Sequence, residues 1–158
     1  MFKVFEEVKM ESKHAVLNHL LVNVFNQILS IEEKSLKKGP FSNLTVSELH
    51  VIEAIGCDSV QPMSTIAARR HVTVGTLTIS ITNLVKKGYV SRVRSDFDRR
   101  VVLIGLTDLG QKAFQHHEMF HNEMIDFTMS ALNHSERESL IKALSNVTTY
   151  FNQKYLDQ

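Results

Sequence analysis

The sequence predicts a mainly α-helical protein that carries one small β-hairpin, and a change of pattern along the chain indicates where the hairpin lies. Apolar residues recur at spacings of three and four through most of the 158 residues, as in helices that bury one face. After Gly88 the spacing changes to alternating or β-branched runs at 89–94 and 101–106, which flank a polar turn. We therefore expect four helices, two strands and two further helices in one domain, 1–158.

Start and stop residues set the bounds of the first helices. The first helix, expected over 13–37, ends where Gly39-Pro40 cannot continue it. Thr45 and Glu48 have the spacing of a capping box at the start of the second helix, and Gly56 is expected to end it. Two short helices follow, and they begin at Pro62 and at Thr73.

Two long helices are expected after the hairpin. Thr107 caps the first of them, which should run to about Leu132, and Ser135 with Glu138 predicts a capping box for the last. Both helices have an apolar face, and the first helix of the chain has a broad apolar stripe. A helix as apolar as the first must be covered on more than one side, by its own domain or by a second subunit.

Composition excludes several classes of protein. The single cysteine, Cys57, cannot form an internal disulfide and is expected to be inert, and it favours a cytoplasmic location. No run of 18 apolar residues is present, so we expect no membrane span. The chain has neither a glycine-rich phosphate loop nor a Gly-x-Ser-x-Gly turn, so we expect no enzyme and no cofactor.

Positive charge is concentrated in the middle of the chain. The net charge is +1, but residues 62–104 hold eight Lys or Arg against two acidic residues, and the remainder is net negative. Such a segment suits a nucleic-acid partner only if a motif of the right size lies beneath it.

A pair of short helices followed by the hairpin provides that motif. In the second short helix, Leu77, Ile81, Leu84 and Val85 are expected to be buried, and Val72 is expected to fill the turn before it. The opposite side carries small, uncharged side chains, which let a helix N-terminus approach the major groove of DNA. The alternative is an amphipathic helix that merely faces water, but threonines at 73, 76, 78 and 82 are poor helix formers for that purpose.

Arginines of the hairpin support the same interpretation. Arg92 and Arg94 lie on its first strand, and Arg99 and Arg100 follow its tip. A basic ribbon beside a helix in the major groove can follow phosphates or enter the minor groove. Together these features predict a winged helix-turn-helix.

At this point the chain resembles the MarR family of dimeric winged-helix regulators across nearly its whole length. The resemblance lies in residues 84–92 (Leu-Val-Lys-Lys-Gly-Tyr-Val-Ser-Arg), 98–100 (Asp-Arg-Arg) and 106–110 (Leu-Thr-Asp-Leu-Gly), in that order and spacing. Within the family, residues 31–33, 44–56 and 73–78 are most similar to members that repress fatty-acid synthesis genes.

The resemblance implies a homodimer built from helices 13–37 and 107–156, with a DNA-binding lobe at 44–106. It implies a double-stranded, pseudo-palindromic operator, with one recognition helix in each of two successive major grooves. Family members usually have a polar or basic wing tip, whereas Phe97 occupies that place here. The DNA-facing positions carried over are Thr73, Val74, Gly75, Thr76, Ile79 and Asn83 in the helix, with Arg94, Arg99 and Arg100 in the wing.

The same resemblance implies a repressor of fatty-acid biosynthesis genes whose co-repressor is a long acyl group on acyl carrier protein. Such a ligand needs an apolar pocket, and helical spacing alone nominates Phe25, Leu29, His50, Ile52 and Phe114. Each of these residues could equally be a plain core residue.

Two alternatives remain open. One is a zinc-responsive regulator, because His117 and His121 stand at i and i+4, with Glu32 or Glu33 as further ligands. The other is a winged helix that binds only protein and has no affinity for DNA.

Overall fold

A computed structural model describes residues 12–57, 60–94 and 101–156, with no description of the Leu156 side chain. The chain divides into two compact units, one through Phe114 and one from Gln115 onward. In the first lie α1 (Lys13–Lys38), α2 (Val46–Ile55), β1 (Gln61–Pro62), α3 (Met63–Arg69), α4 (Val74–Lys86), β2 (Val90–Arg94), β3 (Val102–Leu106) and the start of α5 (Asp108–Ser130). The second contains the rest of α5, then α6 (His134–Phe151) and a π-helical turn, Asn152–Leu156.

Local capping explains where α2 begins and ends. The Thr45 side chain accepts from the Glu48 backbone N–H, and the Glu48 carboxylate accepts from the Thr45 N–H, so the capping box is confirmed. Gly56 follows α2 with φ +75°, a conformation that favours glycine, and its N–H donates to the Ile52 carbonyl. Ser12 caps α1 by accepting from the Ala15 N–H.

The helix-turn-helix consists of α3 and α4 joined by a short turn. His71 has φ +51° in that turn, and the Val72 N–H donates to the Ala67 carbonyl. The prediction that Val72 fills the turn is wrong, because its side chain is exposed. Val85 was also expected on the buried face but is exposed, whereas Leu77, Ile81 and Leu84 are buried as expected.

A three-stranded antiparallel sheet has the order β1-β3-β2. The hairpin is as expected, with Val90 opposite Leu106 and Arg94 opposite Val102. The strand β1 was not predicted, because two residues that include a proline give no alternating pattern. In it, Gln61 pairs with Ile104, and its side-chain amide donates to the Ile55 carbonyl.

The hydrophobic core lies in the first unit and joins α2, α3, α4 and the sheet. Its fully buried residues include Ile52, Ile66, Ile81 and Ile104. Gly110, in the first turn of α5, lies against the Tyr89 backbone, and a Cβ there would collide with the Tyr89 carbonyl group. The prediction of a mainly α-helical chain with a small hairpin wing is confirmed.

In the second unit, the cap of α6 differs from the prediction. Asn133 is the N-cap and forms the capping box with Glu136, in place of Ser135 and Glu138. Ser135 already lies within the first turn, where its carbonyl accepts from the Ser139 hydroxyl. None of the helices in the described part of the chain is long and apolar enough to span a bilayer.

Candidate nucleic-acid interface

The helix α4 has one buried side and one exposed side. Leu77, Ile81 and Leu84 are buried in the core. Gly75, Thr76, Ile79 and Asn83 stand at spacings of three and four on the other side and are exposed, as are Thr73 and Val74 at the start. All six helix positions nominated from the sequence are therefore accessible, and we call them the recognition face.

Hydroxyl groups along α4 are engaged within the helix itself. Thr73 Oγ1 accepts from the Thr76 N–H at 3.1 Å and lies 2.9 Å from Thr76 Oγ1. Thr78 donates its hydroxyl proton to the Val74 carbonyl, and Thr82 donates to the Thr78 carbonyl, each at 2.7 Å. These bonds explain how a threonine-rich segment is stable as a helix, because the hydroxyls find partners without leaving it.

A side-chain hydrogen bond joins the first strand of the wing to α4. Arg92 Nη2 on β2 donates to Thr82 Oγ1 at 2.8 Å, so the first strand of the wing is held against the middle of the helix. Arg94, two residues on, is exposed. Arg99 and Arg100, with Phe97 and Asp98, lie outside the described residues, so their role stays a prediction.

A charged network holds the end of α4, and the sequence did not indicate it. Lys87 Nζ donates to Glu48 Oε2 and to the Asn43 carbonyl, each at 2.7 Å, and to Glu48 Oε1 at 2.9 Å. The Tyr89 hydroxyl donates to Asn43 Oδ1 at 2.7 Å. Glu48 therefore caps α2 and also binds Lys87 at the end of α4. Glu48 and Lys87 are 39 residues apart in the sequence, so no local pattern predicted their contact.

Electrostatics at Glu48 reflect that double role. Burial raises the pKa of the Glu48 carboxyl, and this is the largest single effect. The hydrogen bonds from Lys87 and Thr45 and the charge of Lys87 together outweigh it, so the pKa lies below its ordinary value of 4.5. The carboxylate is therefore ionised at neutral pH and attracts the Lys87 ammonium.

Of the nominated effector residues, Leu29 lines the cavity found in the described part of the chain, and the other four are not among its lining residues. A cavity of about 480 Å³ lies between α1 and the segment that leads into α2, and Leu29 is among its lining residues. Ile52 is fully buried in the hydrophobic core, and Phe114 is partly buried and packs against that core. Phe25 is exposed. The lining consists of Leu29, Glu33, Leu36, Lys37, Ser42, Asn43, Leu44, Thr45 and Val46.

Two short side-chain contacts involve histidines. His50 Nε2 lies 3.0 Å from Glu32 Oε1, and Glu32 is buried. In the second unit, His117 Nε2 and His121 Nε2 lie 3.2 Å apart, with His117 buried. Glu33 is paired with Lys37 at 2.7 Å.

Comparisons with known proteins agree on the class of protein. The family model for the transcriptional regulator SarA/Rot matches residues 33–117. The crystal structure of Streptococcus pneumoniae FabT in complex with DNA superposes with a TM-score of 0.84 at 33% identity, covering 89% of this chain and 99% of that one.

Two Bacillus subtilis proteins described as HTH-type transcriptional regulators are also similar. YpoP is 26% identical over 128 residues, which are 81% of this chain and 88% of YpoP. YhjH is 23% identical over 113 residues, which are 72% of this chain, and the match spans 65% of the length of YhjH.

The fold and the exposed recognition face define a winged-helix transcriptional regulator. Because the relatives are regulators, the prediction that the chain is not an enzyme is confirmed. The chain belongs to the MarR family.

Proposed function

We propose that this protein is a homodimeric repressor that binds a pseudo-palindromic operator by placing α4 of each protomer in the major groove. The observation that carries the proposal is the recognition face, which is exposed and uncharged and has small side chains at Thr73, Gly75 and Thr76 near the start of α4. Residues 63–94 around it contain six Lys or Arg and no Asp or Glu, so the surface attracts a polyanion. A repressor with genomic DNA as its ligand works in the cytoplasm.

Exposed apolar side chains on the terminal helices support the dimer. On α1, Leu17, Leu20 and Phe25 are each more than half exposed. On α5 and α6, Phe127 and Ile141 are likewise exposed. Soluble proteins rarely leave so many large apolar side chains in water, and a second copy of the chain would cover them.

The target genes and the effector follow from the resemblance to fatty-acid repressors. Of the solved structures compared, FabT combines 33% identity with nearly complete coverage. We propose that the protein represses fatty-acid biosynthesis genes with acyl-acyl carrier protein as co-repressor. The partly apolar cavity that Leu29 lines is the proposed binding site for the acyl chain.

DNA binding is tested by gel retardation of duplex DNA across a salt series. Affinity should fall steeply as salt rises, because binding releases counterions from the phosphates. Arg94→Ala should reduce the slope of log affinity against log salt by about one per protomer. Lys142→Ala, an exposed cation on α6, is the control and should leave the slope unchanged. No binding at low salt would favour a module that binds only protein.

The co-repressor is tested on promoter DNA of fatty-acid synthesis genes from the source organism. Long-chain acyl-acyl carrier protein should tighten binding, whereas the unacylated carrier should not. Equal effects of the two carriers would contradict the proposal while leaving DNA binding intact.

A zinc-responsive repressor is the second candidate, and the 3.2 Å approach of His117 to His121 favours it. Two imidazoles one helical turn apart are a common half of a zinc site. Zinc should then change operator affinity in the wild type but not in His117→Ala. His134→Ala, on exposed α6, is the control. Insensitivity of the wild type to zinc would exclude this candidate.

A further inference from the structure

Among the described residues of the first unit, the most exposed large apolar side chain lies in the middle of the recognition face. Ile79 is 67% exposed, although the other isoleucine of α4, Ile81, is fully buried. Nothing in the packing of the described residues requires an isoleucine at position 79. At the centre of a face proposed to bind DNA, an exposed apolar side chain is available to contact an apolar group of the ligand.

The surroundings of Ile79 specify that ligand further. The nearest charged side chains along the chain are all cations, and residues 63–94 contain no acidic residue. Arg69, Lys86, Arg92 and Arg94 are exposed there. An apolar point within a cationic surface suits a polyanion that presents an apolar group. In the major groove of DNA, the 5-methyl group of thymine is that group.

The hydroxyls of α4 strengthen the argument. Thr78 and Thr82 donate their hydroxyl protons to backbone carbonyls, and the Thr73 and Thr76 hydroxyls contact each other. Within the described part of the recognition face, Asn83 is the one side chain with an amide for a paired hydrogen bond to a base. Apolar contact at Ile79 is therefore a further source of discrimination on this face.

We propose that Ile79 recognises thymine through its 5-methyl group, so that each half of the operator carries a T·A pair at the position that faces Ile79. The inference rests on the proposed DNA-binding function and adds the base that one residue selects. Truncation of Ile79 should remove the preference for thymine and leave the contacts to phosphates unchanged.

The test uses deoxyuridine, which pairs like thymine but has no 5-methyl group. The wild-type protein first selects a tight-binding duplex from a random library. That duplex is then made with deoxyuridine at each thymine in turn. At one position per half-site, the change should weaken wild-type binding about fourfold for each methyl group that is lost from contact.

Two variants make the result specific. Ile79→Ala should bind the thymine and deoxyuridine duplexes equally at that position. Val85→Ala, which truncates another exposed apolar residue of α4 away from the recognition face, should keep the wild-type preference. Circular dichroism of both variants checks that α4 is intact.

Three outcomes would overturn the inference. If deoxyuridine costs the wild type nothing at any position, the proposed DNA binding stands but the methyl contact does not exist. If the cost is equal in the wild type and Ile79→Ala, another residue or the shape of the DNA reads the thymine. If no duplex is selected at all, the proposed function fails and the inference fails with it.

Discussion

At the scale of single residues, Gly75 is a position where the stability of the fold and the approach of the proposed ligand favour different residues. A Cβ added at Gly75 would meet only the Thr73 hydroxyl at 3.7 Å, which is an ordinary contact. A helix is less stable with glycine within it than with alanine at the same position. The fold alone therefore favours alanine here, and close approach of a ligand is the remaining reason for glycine.

We predict that Gly75→Ala has opposite effects on stability and on DNA binding. The free energy of unfolding should rise by about 0.5 kcal/mol, because alanine loses less backbone entropy in the helix. Operator affinity should fall, because the methyl group holds α4 away from the groove. Chemical denaturation and gel retardation measure the two quantities on the same preparation. A variant that is more stable and binds DNA as tightly as wild type would show that α4 does not approach DNA at Gly75.

The recognition face also shows what single-sequence reasoning can and cannot reach at this scale. Helical spacing placed Thr76, Ile79 and Asn83 on the exposed side, and the structure agrees. Spacing cannot say whether a threonine hydroxyl points outward or bonds to its own helix. The hydroxyls of Thr78 and Thr82 bond to their own helix, and only the side-chain geometry could show this.

At the scale of elements, the contacts of Lys87 tie the end of α4 to the start of α2. The ammonium group of Lys87 joins Glu48 and the Asn43 carbonyl, and Tyr89 bonds to the same asparagine. Because the pKa of Glu48 is lowered in the folded protein, the carboxylate contributes stability at pH values above the ordinary pKa of 4.5. That contribution is lost as the pH falls through the lowered pKa.

We predict that Glu48→Gln removes this part of the pH dependence. The difference in unfolding free energy between wild type and variant should be constant above about pH 5 and should shrink as the pH falls below 4.5. Denaturation with urea at a series of pH values measures it. Lys87→Met should move the loss to higher pH, since Glu48 then keeps the cost of burial without its ionic partner. A constant difference down to pH 2 would contradict the role assigned to Glu48.

Gly110 lets the start of α5 lie close against the backbone of Tyr89. We predict that Gly110→Ala lowers the free energy of unfolding by about 1–3 kcal/mol, because a Cβ collides with the Tyr89 carbonyl group. Thermal denaturation measures the loss. Gly75→Ala is the matched control, being the same substitution in a helix without the collision. If both variants were equally stable, the packing at Tyr89 would not restrict position 110.

Elements were predictable from the sequence where a local signal defines them. Thr45, Gly56 and the change of period after Gly88 carry such signals, and the structure has α2 and the hairpin accordingly. The strand β1 depends on pairing with β3, more than 40 residues away in sequence, and no local pattern encodes it. At α6 the sequence predicted the capping box at Ser135 and Glu138, whereas the structure has the same pattern two residues earlier, at Asn133 and Glu136.

At the scale of the whole molecule, the dimer is the largest feature that the sequence only implied. Periodicity indicated broad apolar faces on the terminal helices, but not what covers them. The same limit applies to the effector, because Leu29 lines a cavity while Ile52, on equally good spacing, is core. What covers the apolar faces and which residues hold the effector both depend on other molecules. The spacing of residues in this chain does not reveal either of them.

We predict that Phe127→Asp yields a folded monomer. Phe127 is 79% exposed, so the fold of one protomer does not depend on it, whereas a charge there opposes association of apolar surfaces. Analytical ultracentrifugation should show half the wild-type mass, and affinity for a palindromic duplex should fall. Thr128→Asp, at the neighbouring exposed position, is the control for the added charge. Sedimentation of Phe127→Asp as a dimer would place the interface elsewhere.

The order of the three-stranded sheet has a consequence for solubility. With β3 in the centre, the two edges are β1 and β2. The first is only two residues long and ends in Pro62, which lacks a backbone N–H, and the second carries the cations Arg92 and Arg94. Short, proline-bearing and positively charged edges discourage recruitment of strands from other chains. A wing of this kind can stay exposed for the life of the protein without seeding aggregation.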